Sequence, residues 1–359
     1  MLNGKKVLLG MSGGVDSSVS AIILKEMGYE VIGATMLLCP KQNINVEVGC
    51  LANSAVNDAK KVCEKLNIKH IVLDCREEFK TRVIDNFVGS YENCKTPNPC
   101  VECNCYLKFG KFYEKAIELG CDYVATGHYA KVEYDEKLEQ YVMKKSKAEG
   151  KDQTYFLYKV QKEVLPKIIY PLENFENKEE IRKIAEKYDL VVAHKKDSQE
   201  VCFIPDDDYV NFIKNNDYNN QNFKEGNIVL KDGTILGKHK GLINYTIGQR
   251  KGLGVSYKLP LYVISLNKEK NEVIVGEEKD LYEKELKAED CNFLIDIDLE
   301  KEIEVMAKIR YRAKEAKATL KMKDGIANVI FNEPQRAITP GQSVVFYIDN
   351  IVIGGGKIL

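Results

Sequence analysis

The sequence predicts an α/β domain built on a doubly wound parallel sheet, followed by a small central domain and a C-terminal β-barrel. Strand-like and helix-like segments alternate in the first half, short segments with glycine turns follow, and from about Leu286 the pattern is nearly all strand. The 359 residues also exceed the ~250–300 at which a single hydrophobic core stops growing. We therefore predict three domains, at residues 1–208, 209–285 and 286–359.

In the first domain, a short apolar strand at residues 5–9 leads through a glycine-rich turn into a helix that ends at Gly28. Further strands are predicted at residues 31–36, 70–74 and 123–126, and further helices around residues 56–66, 108–119 and 178–188. This strand–helix alternation is typical of a parallel sheet, whose ligands bind at the carboxyl ends of the strands.

The later elements are predicted from turns and alternation. The Asn/Asp-rich stretch at residues 215–221 indicates a loop or domain border, and Asp232-Gly233 is a strong hairpin signal. From Val305 to Tyr311 every second residue is apolar, with Lys308 and Arg310 on the opposite face beside Met306, which predicts a strand with one buried face. Turn residues at 324–325, 340–341 and 349–350 bound the remaining strands of a small barrel.

The composition excludes disordered, collagen-like and disulfide-stapled mini-protein classes, because 44% of the residues are hydrophobic and 53 Lys+Arg balance 54 Asp+Glu. No apolar window approaches the ~18 uncharged residues of a membrane span, and glycines occur too early for a secretory signal. We expect a cytoplasmic protein that does not bind membranes. The odd number of cysteines, eleven, then indicates reduced thiols that serve as metal ligands or catalysts.

The strongest motif joins the first strand to the first helix and runs Gly10-Met11-Ser12-Gly13-Gly14-Val15-Asp16-Ser17-Ser18. Its glycines let backbone N–H groups converge on an anion at a helix N-terminus, and its serines add hydroxyl donors. Asp16 is a candidate ligand for the Mg²⁺ that accompanies a nucleotide. The Walker lysine and the GxGxxG spacing are both absent. The loop resembles the PP-loop of the ATP pyrophosphatase superfamily, which implies ATP cleavage to AMP and pyrophosphate.

Four cysteines crowd around a Thr-Pro-Asn-Pro string, namely Cys94, Cys100, Cys103 and Cys105. Cys100 and Cys103 have the CxxC spacing of a metal knuckle, although the chain has no second CxxC. Cys202 is isolated in sequence, and an isolated cysteine is usually a small buried hydrophobe. The residues alone leave packing, metal binding and catalysis open.

Seven strings occur in the order found in tRNA-specific 2-thiouridylases: TPNPCVECNCYLKF, ATGHYA, KDQTYFLY, KKDSQEVCFIP, YTIGQRKGLG, IRYR and ITPGQSVVFY. The resemblance extends from the phosphate loop to the final GGGKIL and implies an adenine nucleotide alpha hydrolase-like first domain. It further implies ATP-dependent 2-thiolation of the wobble uridine of tRNA, in which the C2 oxygen is adenylated and persulfide sulfur replaces it. Cys202 would carry the persulfide and Cys103 would be the nucleophile, with a transient Cys103–Cys202 disulfide.

Several features around these cysteines remain open. Cations that favour the thiolates are expected at Lys108, Lys195 or Lys196. Cys100 stands where many members of the family have aspartate, which puts a proton-transfer role at this position in doubt. An iron–sulfur cluster is an alternative to persulfide chemistry, with three candidate ligands: Cys100, Cys103 and Cys202.

The resemblance also implies the binding residues. Those for ATP are Gly10, Met11, Ser12, Gly13, Gly14, Val15, Asp16, Ser17, Met36 and Gly127. Those for tRNA are Asn98, Pro99, Cys100, His128, Lys151, Asp152, Gln153, Arg310, Tyr311 and Gln342. Residues 301–323 contain eight Lys/Arg against three Asp/Glu, which predicts a basic face for RNA. The expected partners are tRNA and a persulfide donor, either a cysteine desulfurase or a sulfur-relay protein, and the free chain is expected to be a monomer.

Two other functions stay open. A PP-loop ligase or amidotransferase that adenylates a small carboxylate or purine would release pyrophosphate without tRNA. An RNA-binding module with a vestigial nucleotide loop would bind tRNA without converting ATP to AMP.

Overall fold

The computed structural model describes residues 3–38, 46–148, 150–195, 201–204, 207–215 and 221–359, with only the backbone of residues 46–53 and 221. Its strands are β1 (Lys6–Gly10), β2 (Glu30–Leu37), β3 (Lys69–Asp74), β4 (Tyr123–Ala125), β5 (Lys131–Asp135), β6 (Gln140–Lys144), β7 (Ile168–Ile169), β8 (Gly226–Leu230), β9 (Ile235–His239), β10 (Tyr262–Asn267), β11 (Glu272–Gly276), β12 (Tyr282–Phe293), β13 (Ile303–Lys308), β14 (Ala316–Lys323), β15 (Ile326–Arg336), β16 (Ser343–Ile348) and β17 (Ile351–Ile358). None of the helices in these ranges is long and apolar enough to cross a bilayer.

The α-helices are α1 (Val15–Glu26), α2 (Val46–Lys65), α3 (Arg76–Phe79), α4 (Asp85–Glu92), α5 (Pro99–Glu102), α6 (Phe112–Glu118), α7 (Lys178–Lys187) and α8 (Tyr209–Asn215). Two π segments, Lys80–Ile84 and Cys103–Lys111, join α3 to α4 and α5 to α6. Short 3₁₀ turns occupy Thr154–Phe156, Lys162–Lys167, Gln221–Phe223, Leu242–Asn244 and Glu278–Leu281.

The first sheet has the order β3-β2-β1-β4-β7, and all of its strand pairs are parallel. Alternate residues of β1 enter two hydrophobic cores, with Val7 and Leu9 on one face and Leu8 on the other. The register pairs Gly10 with Ala34 of β2, so the ends of the central strands reach one edge together. That edge carries the phosphate loop, and the predicted fold class is confirmed.

The helix that carries the cysteines begins earlier than the sequence pattern predicts. It runs from Pro99 through the π segment to Glu118, whereas the prediction begins it at residue 108. Pro99 occupies the first helical turn, where its missing N–H costs no hydrogen bond. Cys100 and Cys103 are therefore helical residues with fixed positions on one helix.

The central sheet has the order β10-β11-β8-β9, and β8 and β9 form the hairpin predicted from Asp232-Gly233. Gly233 adopts a φ of +88°, the left-handed conformation that favours glycine at this turn. This sheet packs its own hydrophobic core, which includes Ile228, Val263 and Val273.

The C-terminal barrel has six strands in the order β12-β15-β14-β13-β16-β17, and the pairing of β12 with β17 closes it. The hairpin of β5 and β6 extends this sheet, with Val352 of β17 opposite Met143. The strand predicted to reach Tyr311 ends at Lys308, so Arg310 and Tyr311 lie in the following loop. In this loop the Arg310 guanidinium donates to the carbonyls of Ile247 and Ala337.

Candidate active site

The phosphate loop between β1 and α1 is held in shape by its own side chains. The backbone N–H of Ser12 donates to Ser17 Oγ at 3.2 Å, and Ser17 Oγ donates to the Gly14 carbonyl at 3.1 Å. Ser18 Oγ donates to the same carbonyl at 2.8 Å. The loop therefore holds its shape through local hydrogen bonds, as a preorganised anion site requires.

Two glycines allow close packing around this loop. Gly13 has a φ of +69°, and a Cβ there would lie 2.4 Å from the Ala55 carbonyl oxygen of α2. Gly127 follows β4, and a Cβ there would lie 2.9 Å from the backbone nitrogen of Ser17. Met36 is half-buried near the end of β2, at the same edge of the sheet. The structure thus brings Gly127 into contact with the phosphate loop. It places Met36 at the edge of the sheet that carries this loop.

Both carboxylate oxygens of Asp16 already accept hydrogen bonds from other parts of the chain. Tyr129 donates to Oδ1 at 3.0 Å, and Lys178 of α7 forms an ion pair with Oδ2 at 2.6 Å. A Mg²⁺ ion needs about six oxygen ligands in octahedral geometry, and these donors compete for the oxygens it would use. Asp16 in this arrangement does not fit the predicted Mg²⁺ role. Sequence reasoning missed Lys178, which lies 162 positions from Asp16 and has no local signal.

The predicted tRNA-contact loop at residues 151–153 is linked to the phosphate loop through Tyr129. The Gln153 N–H donates to the Tyr129 carbonyl at 2.9 Å, and the Tyr129 N–H donates to Gln153 Oε1 at 2.9 Å. Asp152 accepts from Thr154 Oγ1 at 2.6 Å. Burial raises the pKa of Asp152 above its ordinary value. The side chains of Asp152 and Gln153 therefore bind other parts of the chain, whereas Lys151 is exposed.

Cys103 is the first residue of the second π segment and is only 7% exposed. In an α-helix, a residue five positions after Cys103 would lie about 140° away from it around the helix axis, since 3.6 residues make one turn. A π segment instead closes i→i+5 hydrogen bonds, as the Phe112 N–H does to the Leu107 carbonyl. The π geometry therefore brings Lys108 close to the helix face that carries Cys103.

Lys108 affects the pKa of two thiols, those of Cys103 and Cys100. Burial raises the pKa of Cys103 above its ordinary value, while Lys108 lowers it and Cys100 raises it. Burial likewise raises the pKa of Cys100, and Lys108 again opposes the rise. Lys108 is the predicted cation that the structure brings to these thiols. Lys195 instead donates to the Gly13 carbonyl at 2.9 Å, and Lys196 lies outside the described residues.

Cys202 is exposed, and the two residues after it anchor its segment in the core that contains Cys103. Phe203 and Ile204 are buried there, and the Phe203 ring centroid lies 5.5 Å from that of Phe79. The structure thus places Cys103 and the Cys202 segment on one hydrophobic cluster. Within the described ranges, no group of three or more Cys, His, Asp or Glu is arranged to hold a metal ion.

His128 links this helix to the segment that follows β4. Its Nε2 lies 3.3 Å from Lys108 Nζ, and its Nδ1 lies 2.7 Å from Thr126 Oγ1. Because an ammonium group only donates, Nε2 must accept, which leaves the ring proton on Nδ1. Burial lowers the pKa of His128 well below its ordinary value of 6.5, and Lys108 lowers it further. The imidazole is therefore neutral and orients the Lys108 ammonium.

The other two cysteines of this region, Cys94 and Cys105, are packed against the rest of the protein. Cys94 packs against the central core, and Asn222 Nδ2 lies 3.7 Å from its sulfur. Burial raises the pKa of Cys105 to about 11, so this thiol stays protonated near neutral pH.

The predicted tRNA residues of the barrel also bind protein groups. Arg310 donates to the Ala337 carbonyl at 2.7 Å, and Gln342 donates to the Thr96 and Pro97 carbonyls at 3.0 and 3.1 Å. The ring of Tyr311 lies 4.5 Å from that of Phe156. Asn98 is half-buried and Pro99 is buried, both at the start of the cysteine helix.

Six lysine and arginine side chains in the predicted basic stretch are exposed: Lys301, Arg312, Lys314, Lys317, Lys321 and Lys323. Lys301 pairs with Asp298 at 2.8 Å, and Lys321 pairs with Glu302 at 3.6 Å. A row of exposed cations beside the Arg310 loop fits a surface for a polyanion.

Three family models match consecutive parts of the chain. They are described as the tRNA methyl transferase HUP domain at residues 5–206, the tRNA methyl transferase PRC-barrel domain at residues 211–277, and the aminomethyltransferase beta-barrel domain at residues 283–358. The first of these covers more than half of the chain.

Curated relatives match over the full length and are named tRNA-specific 2-thiouridylase MnmA. The protein of Clostridioides difficile strain 630 is 49% identical, with 100% of this chain and 99% of the relative covered. The protein of Clostridium botulinum strain Eklund 17B is 52% identical, with 99% and 98% covered. The protein of Acetivibrio thermocellus is 50% identical, with 99% and 100% covered.

Proposed function

Because the chain belongs to the family of tRNA-specific 2-thiouridylases, we propose that it catalyses ATP-dependent 2-thiolation of the wobble uridine of tRNA. The observation that carries this proposal is the segment from Thr126 to His128, which contacts both halves of the site. Gly127 packs against the phosphate loop, and His128 holds the lysine beside Cys103. An adenylated base bound beside this segment would lie between the nucleotide and the thiols.

The phosphate loop would bind ATP and hold the leaving pyrophosphate. The uracil C2 oxygen attacks the α-phosphate, the bond to pyrophosphate breaks, and C2 then carries AMP as a leaving group. Converging N–H groups at the start of α1 stabilise the negative charge that builds on the pyrophosphate. ATP normally arrives with Mg²⁺. We assign no step to Asp16 as its ligand, because the carboxylate is paired with Lys178.

The two cysteines would then transfer sulfur. The terminal sulfur of a Cys202 persulfide attacks C2, and AMP leaves with the electrons of the C2–O bond. The Cys103 thiolate next attacks the Cys202 sulfur and forms a Cys103–Cys202 disulfide. The electrons of the broken S–S bond remain on the sulfur attached to C2, which gives 2-thiouridine. A dithiol reductant resets the pair.

The partners follow from these steps. The central domain (209–285) and the barrel (286–359) would contact tRNA around the exposed cations, while the first domain (1–208) performs the chemistry. A cysteine desulfurase or sulfur-relay protein would load the exposed Cys202. We propose that the free protein is a cytoplasmic monomer.

Pyrophosphate release with and without tRNA tests this function. The protein with ATP, a persulfide donor and unmodified tRNA should release pyrophosphate and form 2-thiouridine. Pyrophosphate release that does not need tRNA and forms no 2-thiouridine would favour a small-substrate ligase. Binding of tRNA with no conversion of ATP to AMP would favour an RNA-binding module.

Iron and acid-labile sulfide analysis after anaerobic purification tests the remaining alternative. Persulfide chemistry predicts that both are absent. Stoichiometric iron and sulfide, lost on substitution of Cys100, would instead establish a cluster.

A further inference from the structure

A turn of the barrel is attached to the segment that leads into the cysteine helix. The Thr96 N–H donates to the Pro340 carbonyl at 2.8 Å. Both carbonyls of Thr96 and Pro97 accept from the side-chain amide of Gln342, at 3.0 and 3.1 Å. Three hydrogen bonds therefore join this turn to the two residues just before Asn98.

The middle residue of the turn must be glycine for this contact to exist. Gly341 has a φ of +89°, and a Cβ there would lie 2.8 Å from Lys95 Cβ and 2.9 Å from Thr96 N. Real Cβ atoms do not approach other atoms this closely in packed proteins. Backbone of the barrel and backbone of the first domain are thus in direct contact.

Strand β12 of the barrel makes a second set of contacts with the chain around Cys100. Lys95 pairs with Glu289 at 3.3 Å. Lys159 bridges Glu102, at 3.0 Å, to Asp290, at 2.6 Å. The barrel therefore holds the chain on both sides of Cys100, before the helix begins and at the end of α5.

We propose that the barrel positions the Cys103 nucleophile and that Gln342 is a positioning residue that acts through Thr96 and Pro97. The inference rests on the proposed function, which makes Cys103 the attacking thiol. The helix begins two residues after Pro97 and reaches Cys103 after one further turn, so a shift of the segment moves the thiol with it. A misplacement of about 1 Å in a reacting group costs about 100-fold in rate.

Single-turnover thiolation by the full-length protein, loaded with persulfide in advance, separates positioning from tRNA binding. Gln342→Ala should lower the rate constant by about 10- to 100-fold and leave the KM values for tRNA and ATP within about twofold. Gln342→Glu has the same shape but lacks the donor, so it should be at least as slow. Gln335→Ala is the matched control, because the Gln335 side chain donates only to the local Glu333 carbonyl in the described contacts. A raised KM for tRNA with an unchanged rate constant would overturn the proposal and make Gln342 a tRNA contact.

Two further measurements keep the proposal separate from the proposed function. The tRNA-dependent pyrophosphate burst of the Cys202→Ser protein should stay within about twofold when Gln342→Ala is added, because adenylation does not need Cys103. Hydrogen exchange of the amides at residues 98–105 should accelerate at least about tenfold in Gln342→Ala and not in Gln335→Ala. Unchanged exchange would overturn the positioning role even if the wild-type protein made no 2-thiouridine. If exchange accelerates in Gln342→Ala but the wild-type protein makes no 2-thiouridine, only the proposed function is overturned.

Discussion

The serines of the phosphate loop and the segment before the cysteine helix are held in different ways. The serines of the phosphate loop hydrogen-bond to groups only three to five positions away. The segment before the cysteine helix is instead fixed by Gln342, at a separation of 246 positions. A site closed by local bonds has its shape encoded in one string of sequence, whereas a site assembled by distant contacts needs the whole fold.

The two regions also differ in chemistry. The phosphate loop offers N–H groups and hydroxyls to an anion at an open edge of the sheet. Cys103 lies in an apolar cluster, where burial raises its pKa, and Lys108 is the cation that opposes this rise. Damage to the loop should therefore weaken ATP binding, whereas damage to the helix should stop sulfur transfer and spare adenylation.

The largest expected effect on 2-thiouridine formation is that of replacing Cys103 or Cys202. Cys103→Ser and Cys202→Ser should each lower 2-thiouridine formation by about 10³-fold or more, because a hydroxyl can neither carry a persulfide nor form the disulfide. Both proteins should still release pyrophosphate in a single tRNA-dependent burst. Cys105→Ser, on the same helix, is the control and should stay active. Full thiolation by either variant would refute its assigned role.

The next effect tests the loop. Gly13→Ala should raise the Kd for ATP by about 10- to 100-fold, because the new Cβ meets a carbonyl oxygen of α2 and displaces the loop. Gly120→Ala is the matched control, since its φ of +67° is nearly the same and no atom lies within 4 Å of the added Cβ. Isothermal titration with a nonhydrolysable ATP analogue measures the difference. Equal affinities in the two variants would show that the loop tolerates displacement.

Local patterns were sufficient for much of the fold. The parallel sheet follows from alternating strand and helix patterns, and the hairpin at Asp232-Gly233 follows from two turn residues. The phosphate loop was recognisable in the sequence because its serines bond to groups within five positions, whereas Lys178 and Lys195 reach it from distant positions. The start of the cysteine helix at Pro99 was missed because the Asn-Pro signals around it also predict a turn, and the preceding segment is fixed by Gln342 and Gly341.

The features that the sequence does not show have a common cause. The pairing of Val352 with Met143 joins the barrel to the first domain over more than 200 positions, and no local pattern indicates it. Lys178 reaches Asp16 from another helix and occupies the proposed Mg²⁺ ligand. The π segment at Cys103 has no sequence signature, yet it decides which cation approaches the thiol. Long-range contacts and helix type are set by packing, which a single sequence does not show.

A smaller effect is expected at Lys108. Lys108→Met should raise the pKa of Cys103 further, because the cation that lowers it is lost while burial remains. The pH profile of Cys103 alkylation, followed by peptide mass spectrometry, should therefore move to higher pH. Thiolation near pH 7 should fall severalfold, because less of Cys103 is then present as the thiolate.

Two variants serve as controls for this shift. Lys108→Arg keeps the charge and should move the profile less. Lys111→Gln removes another lysine of the cysteine helix, which pairs with Glu78 of α3, and should leave the profile unchanged. An unmoved profile in Lys108→Met would show that the π geometry does not tune the thiol.

The smallest effect concerns the pH dependence of stability through His128. Burial, with Lys108 beside it, holds the pKa of His128 well below 6.5 in the folded protein, whereas the unfolded chain regains a pKa of about 6.5. As the pH falls below about 6.5, the unfolded state takes up the proton first, so the free energy of unfolding decreases by up to about 1.4 kcal/mol per pH unit from this group. Urea unfolding between pH 7.5 and 5 should therefore show a shallower decline in His128→Gln than in wild type. His194→Gln replaces a ring that is 85% exposed and should keep the wild-type slope. Equal slopes in all three proteins would show that His128 takes up its proton without cost, and that the neutral ring does not hold Lys108 in place.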